Sequence, residues 1–361
     1  MKDMATLRTG VTTGTCAAAA AKAATVALLS LKFPEIVEIV VKNGESIKLE
    51  VIDSIQKENE SICAVIKDAG DDPDVTNGVK VFATVWKTDE KSIEVDGGEG
   101  IGRVTKPGLK VQVGYAAINP VPMEMIKTAI SEVCSLYSYE GGIKAVISIP
   151  GGEEIAKKTM NARLGIIGGL SILGTSGIVE PMSEKALIDT IKADIDVNLA
   201  SGVEKLIVTP GNYGRDFAQN ELGLDIEEAV KCSNYVGETL DYLATKSVDR
   251  IMFIGHAGKL VKLAGGIMNT HSAIADCRME ILASHSALAG ANADTISRIM
   301  DCVSTQGAIE IIEELGIGEA VWKTMGEKIG FYLRERIKGS YIIEYIVFTQ
   351  ENGILIRGET Q

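Results

Sequence analysis

The sequence predicts two domains of different class, an α+β domain followed by a doubly wound α/β domain. Three observations carry this. At 361 residues the chain is longer than one ordinary domain. Up to Gly142 the apolar runs are β-rich and closely spaced, with an alanine-rich helix ahead of them. From Lys144 onward strand and helix patterns alternate. The predicted boundaries are 1–142 for the α+β domain, 143–290 for the α/β domain, and 291–361 for C-terminal helices and a hairpin that pack on both.

The first element is Arg8 to Lys22, RTGVTTGTCAAAAAK. Thr9, Thr12, Thr13 and Thr15 with Gly10 and Gly14 run into five alanines. Alanine is the best helix former, and Thr or Gly just before it is cap composition. Two readings follow. One is a flexible loop presenting an open helix N-terminus at about Thr15, suited to an anion. The other is a capped, tightly packed first helix, from Thr15 to Leu31. Strand-like runs follow at 36–42, 47–54, 62–67, 79–86 and 92–95, with Asn43-Gly44 as a hairpin signal. Two loops interrupt them. Asp68 to Asp74 packs four carboxylates into seven residues but misses the twelve-residue calcium-loop pattern. Asp96 to Gly108 holds five glycines, plus Glu99, Arg103 and Lys106, and implies close backbone approach. Pro122 then opens a helix to Tyr137.

In the second half, Ala145 to Ile149 reads as a buried parallel strand ending in Pro150-Gly151-Gly152. Strands at 205–208 and 250–254 end in Thr-Pro-Gly-Asn-Tyr-Gly214 and Gly255-His-Ala-Gly258. Ligands of doubly wound sheets bind at such strand ends. The region 279–315 and then 318–338 reads as helical, and a hairpin about Asn352-Gly353 closes the chain.

Composition narrows the function. Lys plus Arg is 36 and Asp plus Glu 49, a net charge of −13, which argues against a nucleic-acid binder. Six scattered cysteines without a CxxC pair read as reduced thiols of a cytoplasmic protein. Ala17 to Leu31 lacks the flanks of a signal peptide, and no charge-free apolar run is long enough for a membrane span. Gly169 to Ser176 has a P-loop-like spacing with Thr175 where lysine is required. The three histidines are His256, His271 and His285; their spacing suits no metal site. His256 between glycines after a strand favours function over packing, and His271 lies in the polar run Met-Asn-Thr-His-Ser272. No nucleophile motif is present. The residues alone leave an α/β ligand-binding enzyme of unspecified chemistry.

Taken together, RTGVTTGTCAAAAAKAA, AGDDPDVTNG, GGEGIGRVTKPGL, INPVPMEMI, SIPGGEEIAKKTMNARLGIIGGLSILGTSGIVEPMS, TPGNYG and GKLVKLAGGIMNTHS strongly resemble the cobalt-precorrin-5B C-1-methyltransferase family of anaerobic cobalamin biosynthesis. The resemblance covers about residues 7 to 290. It departs at Asn77, where the family pattern carries a histidine, which weakens any catalytic role there. It implies methyl transfer from S-adenosylmethionine to C-1 of a cobalt-containing tetrapyrrole, giving cobalt-precorrin-6A, with cobalt only as part of the substrate. It also implies a first domain like the second domain of ribosomal protein S5, and not the usual tetrapyrrole-methylase fold. Such a displacement demands alignment and exclusion of water. A base taking a proton from the macrocycle would come from His256, Asp71 or Glu99. The cofactor is expected at Gly151, Gly152, Glu153, Gly211, Asn212 and Tyr213. The substrate's carboxylates are expected at Arg8, Thr12, Thr13, Thr15, Arg103, Lys106 and His271. No nucleic-acid or membrane partner is expected; a homo-oligomer is open. The competing classes are a small-molecule kinase-like phosphotransferase, binding nucleotide at Thr12 to Thr15, and a non-catalytic corrinoid carrier.

Overall fold

The computed structural model describes residues 7–224, 226 and 229–360. The chain forms two compact units, 1–184 and 185–361.

Unit 1 begins with β1 (Gly10–Val11) and α1 (Thr13–Ser30). Then come β2 (Ile36–Val40), β3 (Ser46–Glu50), β4 (Ile52–Gln56), β5 (Glu60–Ile66), β6 (Lys80–Thr88), β7 (Ile93–Gly97) and β8 (Arg103–Val104). They are followed by α2 (Pro120–Leu136), β9 (Gly142–Ser148), α3 (Gly152–Ala156), β10 (Ile166–Ile167) and β11 (Ile178–Val179). The main sheet has the order β4-β5-β6-β9-β7. Its pairings are antiparallel except β7 with β9, which is parallel. The strands alternate as a half-buried sheet must: Val81, Ala83 and Val85 of β6 are fully buried with lesser burial between them. They share one core with the alanines of α1 and with Ile126, Ala129 and Ile130 of α2. Alanine lets helix and sheet backbones approach closely. β2 and β3 form the hairpin expected around Asn43-Gly44. Its loop is longer than two residues, because Val41 N–H already closes it on Glu45 O at 2.9 Å.

The expected domain boundary at 142/143 is not where the chain divides. β9 pairs along its length with β6 and β7, so residues 142–148 complete the first sheet and do not begin a second. A continuous apolar run looks the same whichever sheet buries it.

Unit 2 carries the doubly wound part. It contains α4 (Glu184–Ala200), β12 (Leu206–Thr209), α5 (Asn212–Leu222), β13 (Val230–Lys231), α6 (Val236–Leu243), β14 (Arg250–His256) and α7 (Ala257–Leu260). A 3₁₀ turn (Val261–Gly265) precedes α8 (Arg278–Leu288), α9 (Ala293–Met300), α10 (Thr305–Glu314), α11 (Gly318–Ile337), β15 (Ile342–Thr349) and β16 (Gly353–Glu359). The sheet order is β13-β12-β14-β15-β16, parallel except for the antiparallel edge β16. Alternate residues of β14 serve two cores. Ile251 and Phe253 join the larger one with α6, α8 and α11, while Met252 and Ile254 join a smaller one with Phe217 and Ala218 of α5. Helices therefore cover both faces. Residues 291–361 are not an appendage, since β15 pairs with β14 over seven positions and completes the sheet.

Candidate functional site

In unit 2, β12 runs through α5 to β13 on one side, and the chain then crosses to β14 on the other side of β12. The strand order reverses between β12 and β14, which is where doubly wound sheets bind ligands, outside the carboxyl ends of the strands. Here those ends are Thr209 to Tyr213 and Gly255 to Lys259. The sequence-predicted His256, Gly211, Asn212 and Tyr213 thus meet at one crevice; the ring centroids of Tyr213 and His256 are 5.9 Å apart.

His256 is half-buried, edge-on to Phe348 with centroids 5.7 Å apart. Its Nδ1 accepts the Gly258 N–H at 3.1 Å. Burial lowers its pKa, with Glu351 opposing weakly. With Nδ1 accepting, the neutral ring carries its proton on Nε2, which is then a hydrogen-bond donor. The Nδ1 lone pair is engaged by that bond.

Two lysines accompany it. Lys259 Nζ donates to Pro210 O at 3.0 Å, bracing the β12 loop against α7. Burial lowers its pKa, Cys232 raises it, and nearby Lys231 and Lys262 lower it further. Lys231 Nζ donates to Asn212 Oδ1 at 2.9 Å. Burial pushes the Cys232 thiol up to about 12, so it is inert. Thr209 is fully buried, and its Oγ1 has no hydrogen-bond partner among the described residues. Among the described residues no side chain caps α5 at Gly211, and nothing lies within 4 Å of where a Gly211 Cβ would be.

The Asn269–Thr270 segment joins this edge. Asn269 bridges Tyr235, and Thr270 N–H and Oγ1 reach Asn234 O and Oδ1 at 3.0 and 3.3 Å. Lys262, almost fully buried, fixes the segment by donating to Thr270 O at 3.1 Å and Ala275 O at 2.8 Å. His271 is exposed, its Nδ1 accepting the Ala273 N–H.

The remaining expected residues lie in unit 1. The α1 N-terminus is closed, not open. Thr12 N–H donates to Gly177 O at 3.1 Å, Gly14 N–H to Leu173 O at 3.1 Å, and Thr15 Oγ1 to Gly177 O at 2.6 Å. Thr12 Oγ1 accepts the Thr15 N–H, and Thr13 Oγ1 accepts the Leu173 N–H. All three threonines are buried. The groups expected to hold a substrate carboxylate are spent on the 173–177 segment, and the packed-helix alternative holds.

Arg8 forms a bidentate pair with Asp68 at 2.5 and 2.8 Å. Arg8 and the Gly70 N–H hold the Asp68 carboxyl down at about 2. The Arg8 N–H donates to Asp71 Oδ2, and Asp72 accepts from Met182 N–H. Asp74 pairs with the fully buried Lys67 at 2.6 Å. Every carboxylate of the acidic loop is thus engaged in holding the chain. Asn77 Oδ1 accepts the Ala69 N–H at 2.9 Å, a structural use of the position. Among the described residues no group of three or more His, Cys, Asp and Glu could hold a metal ion.

The glycine-rich loop is a three-way backbone crossing. A Cβ on Gly100 would lie 1.8 Å from Ile149 O, one on Gly152 2.4 Å from Gly100 O, and one on Gly169 2.3 Å from Gly100 O. Gly152 is therefore a packing residue, and the Pro150–Gly152 turn ends a strand of the mixed sheet, not of the doubly wound one. Gly151 (φ 76°) faces open space, and Glu153 is exposed on the short α3. Glu99 is exposed on the loop. Arg103 pairs with Asp96 at 2.7 and 3.0 Å and lines an open groove of about 580 Å³ with Tyr115, Lys127 and Lys144. Lys106 lays its stem over Gly165.

Sequence reasoning missed Lys231, Asn234 and Lys262. Lys231 and Asn234 follow the short apolar Ala229-Val230, a signal too brief to read as a strand. Nothing in the sequence marks Lys262 as buried.

The fold combines an α+β unit with a doubly wound α/β unit, the class of sheet that binds ligands where its strand order reverses. Residues 1–181 match the family model described as CbiD, and 269–359 match CbiD, C-terminal domain. The chain belongs to the CbiD family. Curated relatives named cobalt-precorrin-5B C(1)-methyltransferase include one from Ruminiclostridium cellulolyticum, 54% identical over 98% of this chain and 91% of that one. Another, from Alkaliphilus metalliredigens, is 45% identical over 98% and 93%. One from Methanocaldococcus jannaschii is 44% identical over 91% of each. A crystal structure of the cobalamin biosynthesis protein (cbiD) from Archaeoglobus fulgidus is 28% identical and covers 75% of this chain and 84% of its own. Its TM-score of 0.41 is too low to compare the two folds.

Proposed function

We propose that this chain transfers a methyl group from S-adenosylmethionine to C-1 of cobalt-precorrin-5B in anaerobic cobalamin biosynthesis. The observation that carries this is the 54% identity over 98% of the chain to a relative named for that reaction. The methyl donor belongs at the carboxyl edge of unit 2. There Gly211 leaves space, α5 begins without a side-chain cap, and Thr209 Oγ1 is buried without a partner. A bound donor supplies an electrophilic methyl whose sulfur leaves neutral. The protein's part is alignment and exclusion of water. His256 Nε2–H is a donor there. Glu99, exposed and with no hydrogen-bond partner for its carboxylate among the described residues, is the candidate base of unit 1. Arg103 and Lys106 are candidates for substrate carboxylates. We further infer an S5-like topology for unit 1, and a cytoplasmic location, supported by six free cysteines.

The test is anaerobic incubation with cobalt-precorrin-5B and methyl-labelled S-adenosylmethionine. One labelled methyl per macrocycle is expected. Binding of both compounds without transfer would instead support a carrier.

A further inference from the structure

We propose that Lys231, Lys259 and the uncapped start of α5 form a carboxylate-binding site at the strand-order reversal of unit 2. The proposal rests on the methyltransferase reading for the identity of the ligand, which is the amino-acid carboxylate of the donor or a carboxylate of the tetrapyrrole.

Four observations converge. Lys259 is half-buried, and its one hydrogen bond is to a neutral carbonyl, Pro210 O. Lys231 likewise contacts a neutral oxygen, Asn212 Oδ1. Neither lysine meets a carboxylate among the described residues, although the chain carries 49 acidic residues against 36 basic ones. For the half-buried Lys259, an ammonium withdrawn from water without an anion is costly, and a ligand that brings the anion removes the cost; the exposed Lys231 adds charge at the same place. The eleven-residue α5 starts between these two contacts, adding the partial positive charge of a helix N-terminus with open space before Gly211. Thr209, fully buried just ahead of that start, has an unpartnered hydroxyl. The nearby acid whose field is felt, Glu351, acts on His256 and not on Lys259. The crevice thus has a cationic end at Lys231 and Lys259 and a neutral donor at His256.

Titration calorimetry on the full chain tests this with Lys231→Met and Lys259→Met. The probes are S-adenosylhomocysteine, methylthioadenosine (which lacks the amino-acid carboxylate), dicyanocobyrinic acid and succinate. A fall of about tenfold or more in affinity for S-adenosylhomocysteine, with methylthioadenosine unchanged, assigns the site to the donor. The same fall for dicyanocobyrinic acid alone assigns it to the tetrapyrrole. Unchanged affinity for both in both variants overturns the site. If the wild type binds neither, the methyltransferase reading fails, and the site stands or falls on succinate. The wild type should then bind succinate at millimolar concentration and the variants should not; equal binding overturns the site. Lys231 is exposed, so Lys231→Met keeps the test available if Lys259→Met fails to fold.

Discussion

Replacing Gly100 by alanine should unfold unit 1 far more readily than replacing Gly151, although both have similar positive φ, 72° and 76°. The Gly100 methyl would sit 1.8 Å from Ile149 O, where nonbonded contact needs about 3.5 Å. The crossing must open, and it is held by Ile149 N–H to Glu99 O at 2.9 Å, Leu170 N–H to Gly100 O at 2.8 Å and Gly152 N–H to Ile149 O at 2.8 Å. Losing these at about 1 kcal/mol each, plus about 1 kcal/mol for a left-handed alanine, totals about 4 kcal/mol. Gly151→Ala meets nothing within 4 Å and should cost only the backbone part, about 1 kcal/mol. Unit 1 contains Trp86 and unit 2 contains Trp322, the two tryptophans of the chain. In a Trp322→Phe background, Trp86 fluorescence during urea unfolding reports unit 1 alone. The two variants should differ by about 1.5 M in midpoint for a slope of about 2 kcal/mol per molar. A difference below about 0.3 M would refute the idea that backbone contact at the crossing requires glycine.

The acid limb of unit 1 should depend on Arg8. The Asp68 carboxyl lies at about 2 when folded against 3.8 ordinarily, so its contribution is present above pH 3.8 and lost as pH falls toward 2. Arg8→Met should flatten that slope in Trp86 urea titrations between pH 5 and 2; an unchanged slope contradicts the pairing. In unit 2, burial lowers the pKa of both His256 and His285, so their Hε1 resonances should titrate below 6.5. Folding favours their neutral form, so stability is full above 6.5 and declines as pH falls through the folded values. A midpoint for His256 at or above 6.5 would contradict the burial of its ring. Lys262→Met leaves the Thr270 and Ala275 carbonyls unpaired and should cost unit 2 about 2 kcal/mol, read by Trp322 in a Trp86→Phe background; a loss under about 0.5 kcal/mol would show the buried ammonium is dispensable.

The local order of elements was legible, because each announces itself by its own period. The strand ends at Thr209–Tyr213 and Gly255–Lys259 could be found because glycine after a short apolar run, followed by a helix, marks a βα turn. Sheet membership was not legible. β9 is apolar whether it lies beside β6 or begins another sheet, and only long-range pairing decides. The closure of α1 was hidden for the same reason. Its cap partners, Leu173 and Gly177, lie about 160 residues downstream, and Thr-rich sequence looks alike with or without them. The glycine loop showed that backbones approach there, but not that the partner was the chain itself. The protonation of His256 depended on a turn too short to read.

The late arrival of those partners has a consequence for how the protein is made. β6 and β7 cannot be joined until β9 (142–148) exists, and the start of the first helix, capped locally by Thr12, cannot be closed over until Leu173 and Gly177 exist. At about 5–20 residues per second, the ribosome exposes a growing, alanine-rich, edge-bearing fragment for about 10–35 s before unit 1 can close. A nascent chain stalled at residue 142 would therefore be a client for chaperones and proteases, and a gene split there would not yield two folding halves. A split near residue 184 leaves each half with a complete sheet.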